Sequence, residues 1–294
     1  MTTTTDIHKQ YKKKSQFRVI FTRYCRSKLA IFGLIVFTAM FLFFISADVF
    51  FDYEVDALEM DMVNRYQPPT SAHILGTDAY GRDMFARIVY GGRTSLLIGV
   101  STAALALIAG SLIGASAAYF GGAVDNVLMR IMDVFLAIPG TLLAITIISA
   151  IGSNMTTLLI AMGISQTPRM ARIVRSAVLG VMGSDYIEAA KAFGTNNRRI
   201  IFRHIIPNAM GPILVQTSQT VARSVLIVAG LSFVGLGISE PTPEWGSMLS
   251  GVKSQMRHSP YLAHGPGVAM VLSVLSLTLI GDGLRDAMDP RLRN

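Results

Sequence analysis

The side chains able to do chemistry are few and scattered in this chain. His258 and His264 stand six residues apart in a polar loop, and no H-E-x-x-H sets two imidazoles on one helix face. The lone Cys25, among Arg23, Arg26 and Lys28, allows neither an internal disulfide nor a zinc or iron–sulfur spacing. No G-x-x-x-x-G-K-S/T is present to cradle nucleotide phosphates, so the chain is no ATPase by itself. The apolar stretches carry neither paired acids nor a serine–histidine pair, the least that hydrolysis inside a membrane requires. Three groups are left: the polar segment Asp185 to Gly194, the isolated Arg223, and the Glu240, Glu244 and Trp245 loop.

The first group reads as a short helix. Asp185 is a good N-cap, Glu188 at its N3 position predicts a capping-box start, and Gly194 is placed as the C′ terminator. Tyr186, Ala189, Ala190 and Phe193 then share one face at i, i+3, i+4 and i+7. A second, basic helix from Asn197 to Ile206 leads into Pro207. Small residues permit close approach and aromatics supply anchors, which suits docking into a groove on a partner. By these criteria alone a solvated connector fits equally well.

What must position these groups is an apolar scaffold. The 294 residues are 51% hydrophobic and only 15% charged, with a mean hydropathy of +0.49. Soluble domains carry about 25% charged residues, so there is too little polar surface for a water-soluble globule, and disorder is excluded by the same composition. A bilayer-crossing helix takes about 20 apolar residues. Apolar stretches fall at Leu29–Ala47, Ser95–Phe120, Val134–Pro168, from Pro207 to about Gly237 with the single charge Arg223 inside it, and from about Gly265 to Gly281. The third is 35 residues, roughly 52 Å as one helix, and Gly152-Ser153-Asn154 divides it into a hairpin of two spans. The expectation is therefore an all-α polytopic membrane protein with six transmembrane helices.

Charge orients it. The chain has 26 Lys and Arg against 18 Asp and Glu, a net +8. Nineteen of the basic residues fall in 1–28, at Arg130, in 168–206 and in the C-terminal tail, and six in the 48–94 and 238–264 loops. The positive-inside rule then places both termini in the cytoplasm. This distribution, rather than a nucleic-acid surface, accounts for the basic balance. The expected organisation is a basic N-terminal tail (1–28), a first transmembrane helix (29–47), an extracytoplasmic loop (48–94), a five-helix core (95–283) containing the polar helix (185–194), and a C-terminal tail (284–294). Within 48–94, Tyr80 to Arg93 has helical spacing and is expected to form an interfacial helix feeding the second span. Gly110, Gly114 and Ala118 form a small-x3-small row suited to helix packing.

Arg223 lies 16 residues beyond Pro207, about 24 Å along a helix, and so near mid-membrane. A charge there faces a cavity or a partner; lining a translocation path and pairing with a second subunit are both open. Glu240, Glu244 and Trp245 either contact an external partner or gate, or order a proline-rich loop packed on its own chain.

The pattern Glu188-Ala189-Ala190-x3-Gly194-x12-Pro207 resembles the coupling motif of binding-protein-dependent ABC importers, E-A-A-x3-G-x9-I-x-L-P, with His204 and Ile206 at the isoleucine and leucine positions. His73-Ile74-Leu75-Gly76-Thr77-Asp78-x2-Gly81-Arg82-Asp83-x3-Arg87-x2-Tyr90-Gly91, Asp133 to Pro139, Pro241 to Gly246, and Gly281 to Pro290 are similar to signatures of the C-type permease of dipeptide and oligopeptide importers. The resemblance covers His73 to the end; residues 1–72 agree in hydropathy and topology. It implies a type I ABC importer permease fold in a bacterial inner membrane, forming half of a translocation pore. The implied partners are a homologous second permease, two ATP-binding subunits and an extracytoplasmic substrate-binding protein, with membrane lipid around and no nucleic acid. Asp185, Tyr186, Glu188, Ala189, Ala190, Phe193 and Gly194 would then couple to an ATPase, and ATP and magnesium would sit in the partner subunits, with no cofactor in this chain. Nickel or metallophore, opine and glutathione importers use similar permeases. A stand-alone channel or secondary transporter is the rival of another class, for which internal repeats and several midplane polar groups are missing.

Overall fold

In the computed structural model, residues 16–288 are described and, among them, form α-helices with no strand. The earlier part of the basic tail, and Arg291 and Arg293 of the C-terminal tail, lie outside the described residues. α1 (Gln16–Tyr24) is followed by Ser27, whose side chain accepts the Ala30 N–H at 3.4 Å and opens α2 (Lys28–Ile45). α3 (Ala47–Phe50), a π-helical turn (Tyr53–Leu58) and a 3₁₀ turn (Met62–Asn64) order the loop that follows. Then come α4 (Met84–Phe120), α5 (Gly122–Ala137), α6 (Gly140–Ile151) and α7 (Met155–Met182). α8 (Asp185–Ala192), α9 (Asn197–Arg199), a second π turn (Ile200–Ile205), α10 (Ile206–Phe233), α11 (Trp245–Gly251) and α12 (Tyr261–Met288) complete the chain.

Four stretches are long and apolar enough to cross a membrane: α2, α4, the run Asn197–Phe233, and α12. The pair α5–α6 makes a fifth if it is one span, bent by 84° at the Ile138-Pro139 break. The expected third span from Val134 therefore starts differently, in the last turn of a separate helix. Val134 to Ala137 end α5, and Pro139, lacking an N–H, separates them from α6. The break at Gly152-Ser153-Asn154 falls where expected, with Gly152 at φ +110° and the Asn154 side chain accepting the Thr157 N–H at 2.8 Å. α7 spans 28 residues, but Arg169, Arg172 and Arg175 in its second half keep it off a count made by apolarity.

The separate interfacial helix expected over Tyr80 to Arg93 is also corrected. Gly81 at φ +81° and a bridge between Thr77 and Asp83 fold 77–83 into a tight turn. Asp83 then caps the Ala86 N–H at 2.8 Å, and α4 runs unbroken for 37 residues, about 56 Å. Pro207 leaves its mark as well. The π turn before it absorbs the missing N–H, and the expected basic helix becomes α9, this turn and the start of α10.

α4 and α7 make the most extensive pairing, and the small-residue row is the reason. Gly110, Gly114 and Ala118 are buried, and a Cβ at Gly114 would strike the Ala171 carbonyl oxygen on α7. The row packs helices. One hydrophobic cluster joins α4, α7, α8, the second π turn and α10 through Met170, Val174, Val178, Ile187, Ile200 and Ile213. Another joins the ends of α2 and α4 to α11 and α12 around Phe44, Tyr90 and Trp245.

Candidate functional site

α8 is held on one side and bare on the other. Ile187 is fully buried against Ile200 and Val178, and Ala190 packs partly against the same cluster. Asp185, Glu188 and Ala189 are exposed, Tyr186 is 45% exposed and Phe193 88%. Of the expected shared face, Tyr186, Ala189 and Phe193 are exposed together and Ala190 is partly covered, while Ile187, beside that face, fixes the helix to the bundle. The signal for Ile187 was that it is the one large aliphatic side chain in the segment.

The start of the helix differs by one residue from expectation. Ser184, not Asp185, holds the cap position, its carbonyl accepting the Ile187 and Glu188 N–H groups at 2.8 and 3.3 Å. Asp185 becomes the first helical residue, an anion at the positive end of the helix dipole. Glu188 then stands at N4, one residue beyond the reciprocal capping-box position. The end is as expected. Gly194 adopts φ +70°, and the Thr195 N–H reaches the Ala190 carbonyl at 3.1 Å, the six-to-one bond of a Schellman stop.

Glu244 and Trp245 are both fully buried. Glu244 caps α11, its carboxylate accepting the Gly246 N–H at 2.9 Å, the Ser247 N–H at 2.8 Å and the Ser95 hydroxyl at 3.2 Å. The Trp245 indole N–H donates to the Ile88 carbonyl at 3.0 Å, and its ring meets Phe44 edge-on at 5.7 Å. Glu240, a third exposed, accepts from Arg82 Nη2 at 2.9 Å.

That bond belongs to a buried charge cluster not singled out by residue type alone. Arg82 Nε donates to Asp78 Oδ2 at 2.7 Å, and Arg87 Nε stands 3.4 Å from the same oxygen. Arg87 Nη1 donates to the Ala57 carbonyl at 2.7 Å and the Pro241 carbonyl at 3.3 Å. Two arginines and two acids thus tie the first long loop and the 77–83 turn to the segment after α10. The i,i+4 placement of Asp78 and Arg82 was the available signal; Glu240, 158 residues on from Arg82, had none.

Arg223 is half-buried on α10, with no carboxylate within ion-pair distance among the described residues and with Arg169 of α7 in electrostatic reach. Two like charges facing one region do not stabilise each other. They mark a place where an anion from elsewhere would be welcome. Near the α5–α7 contact, Arg175 grips Asp125 with both nitrogens at 2.5 and 2.6 Å, and Arg172 reaches Asp133 at 2.6 Å. His258 and His264 join no metal-ligand group among the described residues.

Long apolar helices, small-residue helix packing and a rigid helix with an uncovered face define a membrane component of a transport machine. The chain belongs to the family of binding-protein-dependent transport system inner membrane components, whose family model matches residues 106–294. Residues 15–69 match the N-terminal TM domain of oligopeptide transport permease C. The dipeptide transport system permease protein DppC of Alkalihalophilus pseudofirmus is 42% identical, over 97% of this chain and 93% of that protein. The glutathione transport system permease protein GsiD of Pectobacterium atrosepticum is 38% identical, over 100% and 97%. The oligopeptide transport system permease protein OppC of Bacillus subtilis is 36% identical, over 96% and 92%. In fold, the chain resembles an inward-facing structure of the MetNI methionine ABC transporter, with TM-score 0.59 and 17% identity over 70% of this chain and 98% of that one. The chain is accordingly a C-type permease, a non-catalytic membrane subunit of an ABC transport system, as its motifs implied.

Proposed function

We propose that the chain forms one half of the translocation pore of an ATP-driven importer of di- and oligopeptides. In this reading it crosses a bacterial inner membrane six times, α7 included, with both termini in the cytoplasm. A homologous permease completes the pore, two ATP-binding subunits dock beneath, and an extracytoplasmic binding protein delivers cargo. The observation that carries the reading is α8: Tyr186 and Phe193 stand uncovered on a helix that Ile187 fixes to the bundle. Asp185, Glu188 and Ala189 share that exposed surface and Gly194 ends it sharply. Closure of the ATP-binding subunits would move α8, and through it α7 and α10, between inward- and outward-open arrangements. Arg223 would lie on the path, attracting the carboxylate of a peptide or an acid of the sister permease.

Peptide cargo is supported by the names of relatives at 42% and 36% identity. A relative at 38% named for glutathione keeps that tripeptide as the second reading. The test is reconstitution with the partner subunits and ATP-dependent uptake of a peptide panel that includes glutathione. Phe193→Ala, on so exposed a side chain, should change stability by less than about 0.5 kcal/mol while reducing uptake severalfold. Normal ATP-driven uptake by Phe193→Ala and by Glu188→Arg would defeat the assignment of α8 as the coupling element.

A further inference from the structure

An open groove lies at the far end of α2 from the basic α1. It offers about 310 Å³ between Asp48, Tyr53, Tyr90, Arg93 and Thr94, at the small end of ligand pockets, which span about 300–1,000 Å³. Tyr53 and Tyr90 meet edge to face at 4.9 Å. The Tyr90 hydroxyl lies 2.8 Å from the Phe51 carbonyl and 3.0 Å from Asp48 Oδ1. Arg93 is turned inward: it donates to both Asp48 oxygens, at 3.1 and 2.9 Å, and to the Phe44 and Ile45 carbonyls. The guanidinium is thereby committed, whereas the Asp48 side chain keeps 67% of its surface accessible. Hydrogen bonds from Arg93 and Tyr90 hold the Asp48 carboxyl below its ordinary range, so it is ionised at neutral pH. Asp52 acts electrostatically on Tyr90 as well. Arg93 offsets the Asp48 charge and also lies over the Tyr90 ring at 5.1 Å, which leaves the accessible edge of Asp48, with the Tyr53 ring beside it, to take a further cation.

What surrounds the groove says which cation. Ile45, Val49, Phe50 and Leu97 are 55%, 79%, 61% and 57% exposed, an apolar rim at the end of a membrane-crossing helix. Tyrosines with acyl-chain-compatible neighbours are the arrangement found at a bilayer–water interface. A soluble amine would gain nothing from that rim; a lipid headgroup with its chains lying beside it would.

We propose that this groove binds the primary ammonium headgroup of a membrane lipid of the phosphatidylethanolamine type. The ammonium donates to the accessible side of Asp48 and stacks against Tyr53, while the chains lie over Ile45, Val49, Phe50 and Leu97. A quaternary ammonium lacks the N–H to donate, and an anionic headgroup meets the negative charge, so the site should rank ethanolamine above choline above glycerol headgroups. The site does not depend on the cargo; only its assignment to the outer leaflet rests on the topology proposed above.

The test is native mass spectrometry of the assembled transporter from nanodiscs holding equal parts of phosphatidylethanolamine, phosphatidylcholine and phosphatidylglycerol. Phosphatidylethanolamine should be retained about five- to tenfold over phosphatidylglycerol, as one cation–π contact and one charge-assisted hydrogen bond would give. Asp48→Asn and Tyr53→Leu should each reduce this to about twofold or less, and Tyr53→Phe, which keeps the ring, should preserve it. Thermal midpoints unchanged by Tyr53→Leu separate lost binding from lost folding. Equal retention of the three lipids, or a preference that Asp48→Asn leaves intact, overturns the proposal. So does displacement of the lipid by a dipeptide with a free amino terminus but not by its acetylated form, which would make the site one for soluble amines.

Discussion

Replacing Glu244 by alanine tests how the segment after α10 is held. The carboxylate sits with no exposed surface and satisfies the second and third N–H groups of α11, those of Gly246 and Ser247 at 2.9 and 2.8 Å, as well as the Ser95 hydroxyl. Alanine leaves both N–H groups buried without an acceptor, and each such group costs about 1–3 kcal/mol. Removing a buried carboxylate also removes its desolvation penalty, which offsets part of the loss. The net expectation is about 2–4 kcal/mol. An N-cap substitution alone costs about 0.5–2 kcal/mol, so the excess over that range measures burial. The assay is built in, since Trp245 is the single tryptophan in the chain. In the purified chain its emission reports the environment one residue from the cap, where the indole donates to Ile88 and touches Phe44. Glu244→Ala should shift the emission to longer wavelength at denaturant concentrations that leave total helicity unchanged. Ser95→Ala, which removes the donor to Glu244 at 3.2 Å and the acceptor of the Trp245 backbone N–H at 3.4 Å, should cost about 1 kcal/mol and shift the emission less than Glu244→Ala does. An unchanged emission maximum and unfolding midpoint for Glu244→Ala would refute the reasoning and make the Trp245 packing sufficient by itself.

Three further expectations follow from the same geometry. Gly114→Val drives a side chain into the Ala171 carbonyl. It should cost at least about 1–3 kcal/mol, read as a lower thermal midpoint, and an unperturbed midpoint would mean that α4 and α7 are not as close as described. Arg82→Met takes the partly buried Glu240's cation and one of the two that face the buried Asp78, Arg87 remaining at 3.4 Å, and should cost less than the roughly 3–5 kcal/mol of a buried charge left wholly unpaired. Adding Asp78→Asn should restore part of this, and a double variant no better than the single one would remove the cluster as a coupled unit. Arg223→Leu removes a half-buried cation that no acid of the described chain neutralises. Insertion and stability should hold or improve while peptide uptake falls severalfold, and unchanged uptake would remove the residue from the translocation path.

The sequence was legible where the physics is one-dimensional. Apolar run length located α2, α4, α10 and α12, and the breaker at Gly152-Ser153-Asn154 located the start of α7. Gly194 showed itself as a helix stop because a left-handed residue after a short polar helix has few other uses. What stayed hidden depends on contacts distant in the chain. Ile187 became an anchor only because Ile200 and Val178 come to meet it. The residue types at Glu240 and Glu244 did not say which loop acid pairs with Arg82 and which is buried as the cap of α11. The α5–α6 bend was masked for a different reason. An uncharged run cannot reveal whether it is straight, and Pro139 alone did not state an angle of 84°.

The same cluster that hides Ile187 explains how a short surface helix could move a membrane bundle. Ile187 touches no isolated neighbour; it enters a hydrophobic group that includes Val174 and Val178 of α7, Ile200 and Ile205 of the π turn, and Ile213 of α10. Close-packed interiors resist compression, so a displacement applied to the exposed face of α8 passes to α7 and α10 together instead of bending α8 away. α7 is in turn locked to α4 along Gly110 and Gly114, where no side chain separates the backbones. The hairpin beside them bends by 84° at Pro139 and turns again at Gly152, whose Cβ direction is open. In the reading proposed above, helices packed this way would move as one body, and the residues that receive the push would not need to touch the cargo.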